Sequence, residues 1–315
     1  MGTARKRLYR TGIALMIAAS IVVLIAYQPP LDRKDLQRYI APTSEFLELG
    51  GASVHYRREG NTDGPLLLLL HGTASSLHTW DGWVDALGDD YNIVRVDLPG
   101  FGLTGAREDR DYSAARYVQF VDQFAEALDI DDFALIGNSL GGNIAWQYAL
   151  SHPGDLTALV LIDPSGFVDE SKPPPLAFRL ANTPLLHHVV PWFAPRSLYE
   201  SSIYDVYGDD SLVTEELIER YYQLSLYGGN RQAFVDKARQ FSKTPVERLP
   251  EITTPTLILW GEEDTWIPVA DATRFANAIP NSQVITYPGV GHVPMEEIPA
   301  RTAADTEQFL QQVLR

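Results

Sequence analysis

Leu66 to Leu70 is five leucines in succession. Successive side chains of a strand point to opposite faces, so an unbroken apolar run needs cover on both sides. The demand recurs along the chain, at 93–97, 133–137, 159–163, 256–260 and 284–287, and several of these runs end at Asp or Gly. Val54, Tyr56 and Arg58 alternate with His55, Arg57 and Glu59, as expected of an early half-exposed strand. Helical stretches fall between the runs, at 113–128, 139–150, 270–278 and 300–314. The first places Tyr117, Val118, Val121, Phe124, Ala125 and Leu128 on one face. This alternation predicts an α/β fold: a mostly parallel sheet with helices on both faces. Ligands of such sheets gather beyond the carboxyl ends of the strands, and chemistry is sought there.

The alternation breaks once. Residues 164–250 hold no convincing strand; they carry Pro173-Pro174-Pro175 and helix-like pieces rich in Phe, Trp and Tyr. They are expected to form a helical lid inserted between core segments 44–163 and 251–315. Ahead of the core, residues 29–43 read as a linker bounded by Pro29-Pro30 and Pro42, and residues 1–28 as a separate element. Within that element, 13–27 is free of charge and follows Arg5, Lys6, Arg7 and Arg10. From Thr11 the run is about 26 Å long as a helix, the short end of what spans a bilayer. The small residues of a signal cleavage site are not well placed, since Ala26 is small but Leu24 is not. An uncleaved single-pass anchor is therefore expected, with the main body outside the cytoplasm. A cleaved export signal is the alternative, and a merely buried helix a third reading.

Composition removes several classes. The absence of cysteine excludes a thiol nucleophile, a disulfide scaffold and cysteine-ligated metal. Net charge is −16, and without the four early basic residues the body has 25 less 4, or 21, basic against 41 acidic groups. A body so acidic repels phosphate backbones, so nucleic acid is not an expected partner.

Gly137-Asn-Ser-Leu-Gly-Gly142 follows a buried strand and opens a helix. In that setting Gly-x-Ser-x-Gly lifts a serine hydroxyl above the sheet on a sharp turn, beside the N–H groups of a helix N-terminus. A serine nucleophile needs a base, and the base an orienting acid. Of seven histidines, His292 stands in the loop Gly289-Val-Gly-His-Val-Pro294 after the last strand, at the carboxyl edge of the sheet. His71 reads as part of a turn. For the acid, Asp264 in Gly261-Glu-Glu-Asp264 is the first choice, with Glu262 and Glu263 as near rivals and Asp163 as the main alternative. The order Ser139, Asp264, His292 suits a strand–turn–helix nucleophile. Oxyanion donors are expected at the N–H of Leu140 and, in His71-Gly-Thr-Ala-Ser-Ser76, at that of Thr73.

These segments together resemble the α/β-hydrolase superfamily, in its lid-bearing serine esterase/lipase and meta-cleavage hydrolase branch. His71-Gly72 with Trp80, Asp97-Leu-Pro-Gly-Phe-Gly102, the Gly137–Gly142 elbow, Gly261–Asp264 with Ile267-Pro268, and Gly291-His292 carry the likeness from about residue 44 to 315. The resemblance implies an eight-stranded sheet and no cofactor or metal. Serine rather than aspartate at position 139 disfavours dehalogenases and epoxide hydrolases of this fold. The expected function is hydrolysis of an apolar carboxylic ester through an acyl-enzyme, with a small-molecule ester and the membrane as partners. Two alternatives stand beside it. A carbon–carbon hydrolase shares the Gly-Asn-Ser elbow, although Thr-Ala-Ser-Ser replaces its usual Ser-Gly-Pro-Gly. A non-catalytic binding protein on the same fold is the other.

Overall fold

The computed structural model describes residue 13 and residues 27–168, 173–193, 195–240 and 244–314. Eight strands make one sheet: β1 (Ser44–Leu49), β2 (Ala52–Gly60), β3 (Leu66–Leu70), β4 (Asn92–Val96), β5 (Phe133–Asn138), β6 (Leu156–Ile162), β7 (Thr256–Gly261) and β8 (Ser282–Tyr287). Their order is β1-β2-β4-β3-β5-β6-β7-β8. β1 and β2 are antiparallel to their neighbours, and β3 to β8 run parallel. In chain order the helices are α1 (Asp81–Leu87), α2 (Ala114–Ala127), α3 (Leu140–Ser151), α4 (Leu176–Asn182), α5 (Val190–Phe193), α6 (Arg196–Val206), α7 (Glu215–Ser225), α8 (Asn230–Arg239), α9 (Ala270–Ala278), α10 (Pro294–Glu297) and α11 (Pro299–Val313).

The leucine run behaves as its pattern requires. Leu68 and Leu70 join one core with Phe124 of α2, Trp146 of α3 and Phe275 of α9. Leu67 and Leu69 join the other with Trp83 of α1 and Leu310 of α11. Each face is covered by helices, so no polar residue is tolerated at either parity. The predicted strands and the helices at 113–128, 139–150, 270–278 and 300–314 all appear, with ends within three residues of those expected. The early strand also extends over Ala52–Gly60, and β1 was not foreseen. Its Glu45 and Glu48 blur the apolar alternation because β1 is an edge strand on which both are exposed.

Between β6 and β7 the described residues form α4 to α8 and short 3-10 turns, with no named strand. The stretch read as a linker is not an open tether along its length. Residues 33–39 form a 3-10 helix whose Leu36 and Tyr39 are buried with Leu103 and Leu224. Arg57 Nη2 donates to the Tyr39 carbonyl at 2.8 Å. Among the described residues no helix is long and apolar enough to cross a membrane. The apolar segment 13–27 lies outside the described residues except for Ile13 and Tyr27.

The turn after β4 shows how tightly the carboxyl edge is assembled. Buried Asp97 accepts the N–H groups of Leu77 and Leu103, each at 2.7 Å, and faces His55 Nδ1 at 2.7 Å. Burial alone would raise its carboxyl pKa, but His55 as charge and hydrogen-bond partner carries it well below the ordinary range. Gly102 sits at φ +51°, where a Cβ would overlap that carboxyl. Gly102→Ala therefore combines backbone strain with displacement of a buried hydrogen-bonded acid. It should destabilise the protein by about 3 kcal/mol or more, read as a lowered midpoint in urea unfolding.

Candidate active site

Ser139 links β5 to α3. Its φ of 53° and ψ of −110° lie outside the regions ordinary residues occupy. Neighbouring backbone holds it there: its N–H donates to the Ile162 carbonyl at 3.0 Å, and its carbonyl accepts from Asn143 N at 2.9 Å and Ser165 N at 3.1 Å. The turn closes because the adjacent glycines lack side chains. A Cβ on Gly137 would overlap the Gly141 backbone, and one on Gly141 the Leu70 carbonyl.

His292 and Asp264 arrive from loops after β8 and β7. His292 Nδ1 lies 2.6 Å from Asp264 Oδ2, with both side chains buried. The second Asp264 oxygen accepts from Trp266 N at 2.8 Å and Ile267 N at 2.9 Å, which sets the carboxylate plane. His292 Nε2 is buried and has no partner among the described residues. Ser139, His292, Thr73 and Trp266 all line one cavity, walled by Phe178, Leu198, Ile203 and Phe234. No hydrogen bond joins Ser139 Oγ to His292, a spacing common in ligand-free sites that tighten on substrate binding. The N–H groups of Thr73 and Leu140 donate to no acceptor among the described residues. Leu140 opens α3, so its N–H has no intrahelical acceptor.

The rival residues go elsewhere. Glu262 and Glu263 are exposed, and Glu262 accepts from Thr286 Oγ1. His71 is buried in its turn: Nδ1 donates to the Gly72 carbonyl at 2.7 Å, while Nε2 accepts from Leu98 N at 2.9 Å. Burial lowers its pKa, in keeping with a neutral ring.

Asp163, the alternative acid, is part of the same cluster. Its Oδ1 accepts from Gly261 N at 3.0 Å, and its other oxygen has no donor. Burial, and after it the neighbouring Asp264 charge, push its pKa well above the carboxylate range. The shift favours the neutral acid, whose proton can be given to Asp264 as a hydrogen bond. Asp163, Asp264 and His292 bring potential metal-ligand atoms within 4.8 Å of one another. Both Asp264 oxygens, however, already accept from His292 or backbone N–H, so the donor set suits an acid–base pair better than a cation.

Two positioning residues were not read from the sequence. Asn138 Nδ2 donates to the His292 carbonyl at 3.0 Å and the Ile162 carbonyl at 3.2 Å, tying the elbow to the histidine loop. Buried Glu297 accepts from Gly291 N at 2.7 Å and Gly208 N at 2.9 Å, joining that loop to the end of α6. An amide beside Ser139 and an acid five residues after the histidine are the only sequence signals, and neither reveals its distant partner.

With this geometry, comparison with known proteins is direct. Residues 65–299 match the model of the alpha/beta hydrolase fold family. The chain belongs to that family. It is 27% identical over 275 residues to the uncharacterized hydrolase YugF of Bacillus subtilis, covering 86% of this chain and 98% of that one. It is 29% identical over 261 residues to the monoacylglycerol lipase ABHD6 of Mus musculus, covering 79% and 76%. Among solved structures, a bacterial membrane phospholipase A superposes with a TM-score of 0.76 at 25% identity, covering 100% of this chain and 98% of that one. This α/β-hydrolase is thus a hydrolase by family, with a small-molecule substrate.

The paired carboxyls give a test with two readouts. Asp264→Asn should lower kcat by about 10⁴, the cost of presenting the wrong histidine tautomer in comparable triads. Asp163→Asn should stay within about tenfold of the parent, because an amide can donate where the protonated carboxyl did. It should also alter stability against pH. The unfolded acid loses its proton near about 3.9 and the folded one only at its raised pKa, so the folded state holds the extra proton between them. The parent loses stability as pH rises through that window and the Asn variant does not. Their unfolding free energies, measured from about pH 4 to 8, should therefore diverge in favour of Asp163→Asn.

Proposed function

We propose that this protein is a serine hydrolase of carboxylic esters with an apolar acyl or alcohol group. The observation that carries the reading is His292, with Nδ1 engaged by Asp264 and Nε2 left free, in one apolar cavity with a serine on a strained turn. Ser139 Oγ attacks the ester carbonyl while His292 Nε2 takes its proton. The oxyanion forms against the N–H groups of Thr73 and Leu140. His292 then protonates the leaving alcohol, leaving an acyl-Ser139. Water, deprotonated by the same histidine, releases the acid. Asp264 orients His292 and stabilises its cation. The lipase and phospholipase among the similar proteins act on esters by name, which supports this reading.

Ser139→Ala should retain only the residual acceleration that binding and the oxyanion donors supply, about 10³–10⁴ over water in comparable enzymes. A fluorophosphonate should label the parent and not the variant. Labelling of Ser139→Ala, or undiminished turnover of nitrophenyl esters, would assign the nucleophile elsewhere.

The helical insertion acts in this reading as a lid, and residues 13–27 as an uncleaved anchor with the body outside the cytoplasm. Tyr27, where the chain enters the body, stacks on Trp192 at 6.3 Å. Leu185, Leu186 and Val189 are exposed on the same stretch of the insertion. Apolar esters partition into bilayers, and an anchor with such a surface beside it would hold the cavity near them. Activity should remain in the membrane fraction after a high-salt wash, which screens electrostatic adhesion but not an inserted helix. A chain beginning at Tyr27, which keeps the docked 33–39 helix, should be active in the soluble fraction. A mature protein in the soluble fraction that starts after residue 26 would identify a signal peptide instead.

A further inference from the structure

The second residue of α8, Arg231, is 7% exposed and lines the same cavity as Ser139. Its Nη2 donates to the Gln28 carbonyl at 2.6 Å. Its Nη1 is buried and has no partner among the described residues. No described carboxylate pairs with it, and burial, more than the neighbouring Tyr199, Tyr222 and Tyr27, sets its electrostatics by disfavouring the charge. The other buried arginines differ. Arg95 pairs with Glu59 and Arg107 with Asp109, and the half-buried Arg220 with Glu296. Arg57, which pairs with no acid, gives its donors to Ser44 Oγ, the Tyr39 carbonyl and His78.

A guanidinium cannot shed its proton in a protein, so burial without a counter-charge is strongly unfavourable unless something completes it. Asn230, the preceding residue, lines the cavity too, and its Oδ1 is also buried without a donor. Two neighbouring residues of the cavity lining thus carry, without a partner, a cationic amino group and an acceptor oxygen. We propose that Arg231 is an anion-recognition residue of the substrate cavity, and that the preferred ester carries a carboxylate or phosphate oxyanion that takes the free Nη1–H. Asn230 Oδ1 would accept from a hydroxyl of the same substrate. The inference rests on the ester-hydrolase reading and specifies what its substrate carries. With 25 basic against 41 acidic residues, the protein as a whole does not attract anions, so selection here is a contact effect.

The test compares matched esters in the full-length chain: mono-nitrophenyl suberate with nitrophenyl octanoate, and lauroyl lysophosphatidic acid with monolauroylglycerol. In at least one pair the parent should favour the anionic member in kcat/KM by about ten- to a hundredfold, the range of a hydrogen bond to a charged group. Arg231→Gln should remove most of that preference, and Arg231→Lys should keep part of it. Arg248→Gln, at an exposed ion pair with Glu251, should keep it whole. Circular dichroism and fluorophosphonate labelling of Ser139 establish that each variant is folded. The pair showing the preference tells carboxylate from phosphate. Equal turnover within both pairs by the parent, or a preference that survives Arg231→Gln, overturns the proposal. If no ester turns over and Ser139 is not labelled, the hydrolase reading fails instead. Calorimetric binding of dodecyl phosphate and of sebacate to the parent and Arg231→Gln then decides the role of Arg231 by itself. Equal affinity of both proteins for each anion overturns it.

Discussion

The strained turn at Ser139 is the constraint around which the carboxyl edge is organised. A residue at φ 53° and ψ −110° persists only where its surroundings over-determine it. Here they do so with the Ile162 carbonyl, the N–H groups of Asn143 and Ser165, and glycines that let β3 and β5 approach α3. The stiffness of that frame comes from two cores, one on each side of the sheet. The turn sets Ser139 at the cavity beyond the end of β5, where a side chain on regular strand backbone would point into one of the two cores.

The electrostatics of the cavity follow from what is buried and how it is compensated. Asp264 gives one oxygen to backbone N–H groups and the other to His292, so its charge is spent on orientation. Asp163 has no such donor on one oxygen, and burial raises its pKa well above the carboxylate range. Two like side chains in one cluster thus differ in the hydrogen bonds available to them, and burial acts on Asp163 with only one oxygen compensated. Arg231 shows the opposite case, a buried group that cannot discharge and so remains available to an anion.

The alternation of apolar runs and helical periods was sufficient for the parallel sheet and its two-sided cover, because each strand buried on both faces must be apolar at every position. It was insufficient for β1, an edge strand whose acidic residues face water, and for the 33–39 helix, whose few apolar residues bury through distant Leu103 and Leu224. At the site, Ser139, His292 and Asp264 were legible because a turn, a glycine-rich loop and a strand end each carry a local signature.

The sequence by itself determined the layered α/β fold, the nucleophile turn, and which histidine and acid stand at the sheet edge, since those depend on neighbours a few residues apart. Only the tertiary structure decided that Asp163 backs Asp264 and that Asn138 and Glu297 hold the histidine loop. It alone left Arg231 buried without a counter-charge. Those roles are set by partners up to about two hundred residues away in the chain, and burial and hydrogen-bond satisfaction are properties of an assembled space that no local pattern encodes.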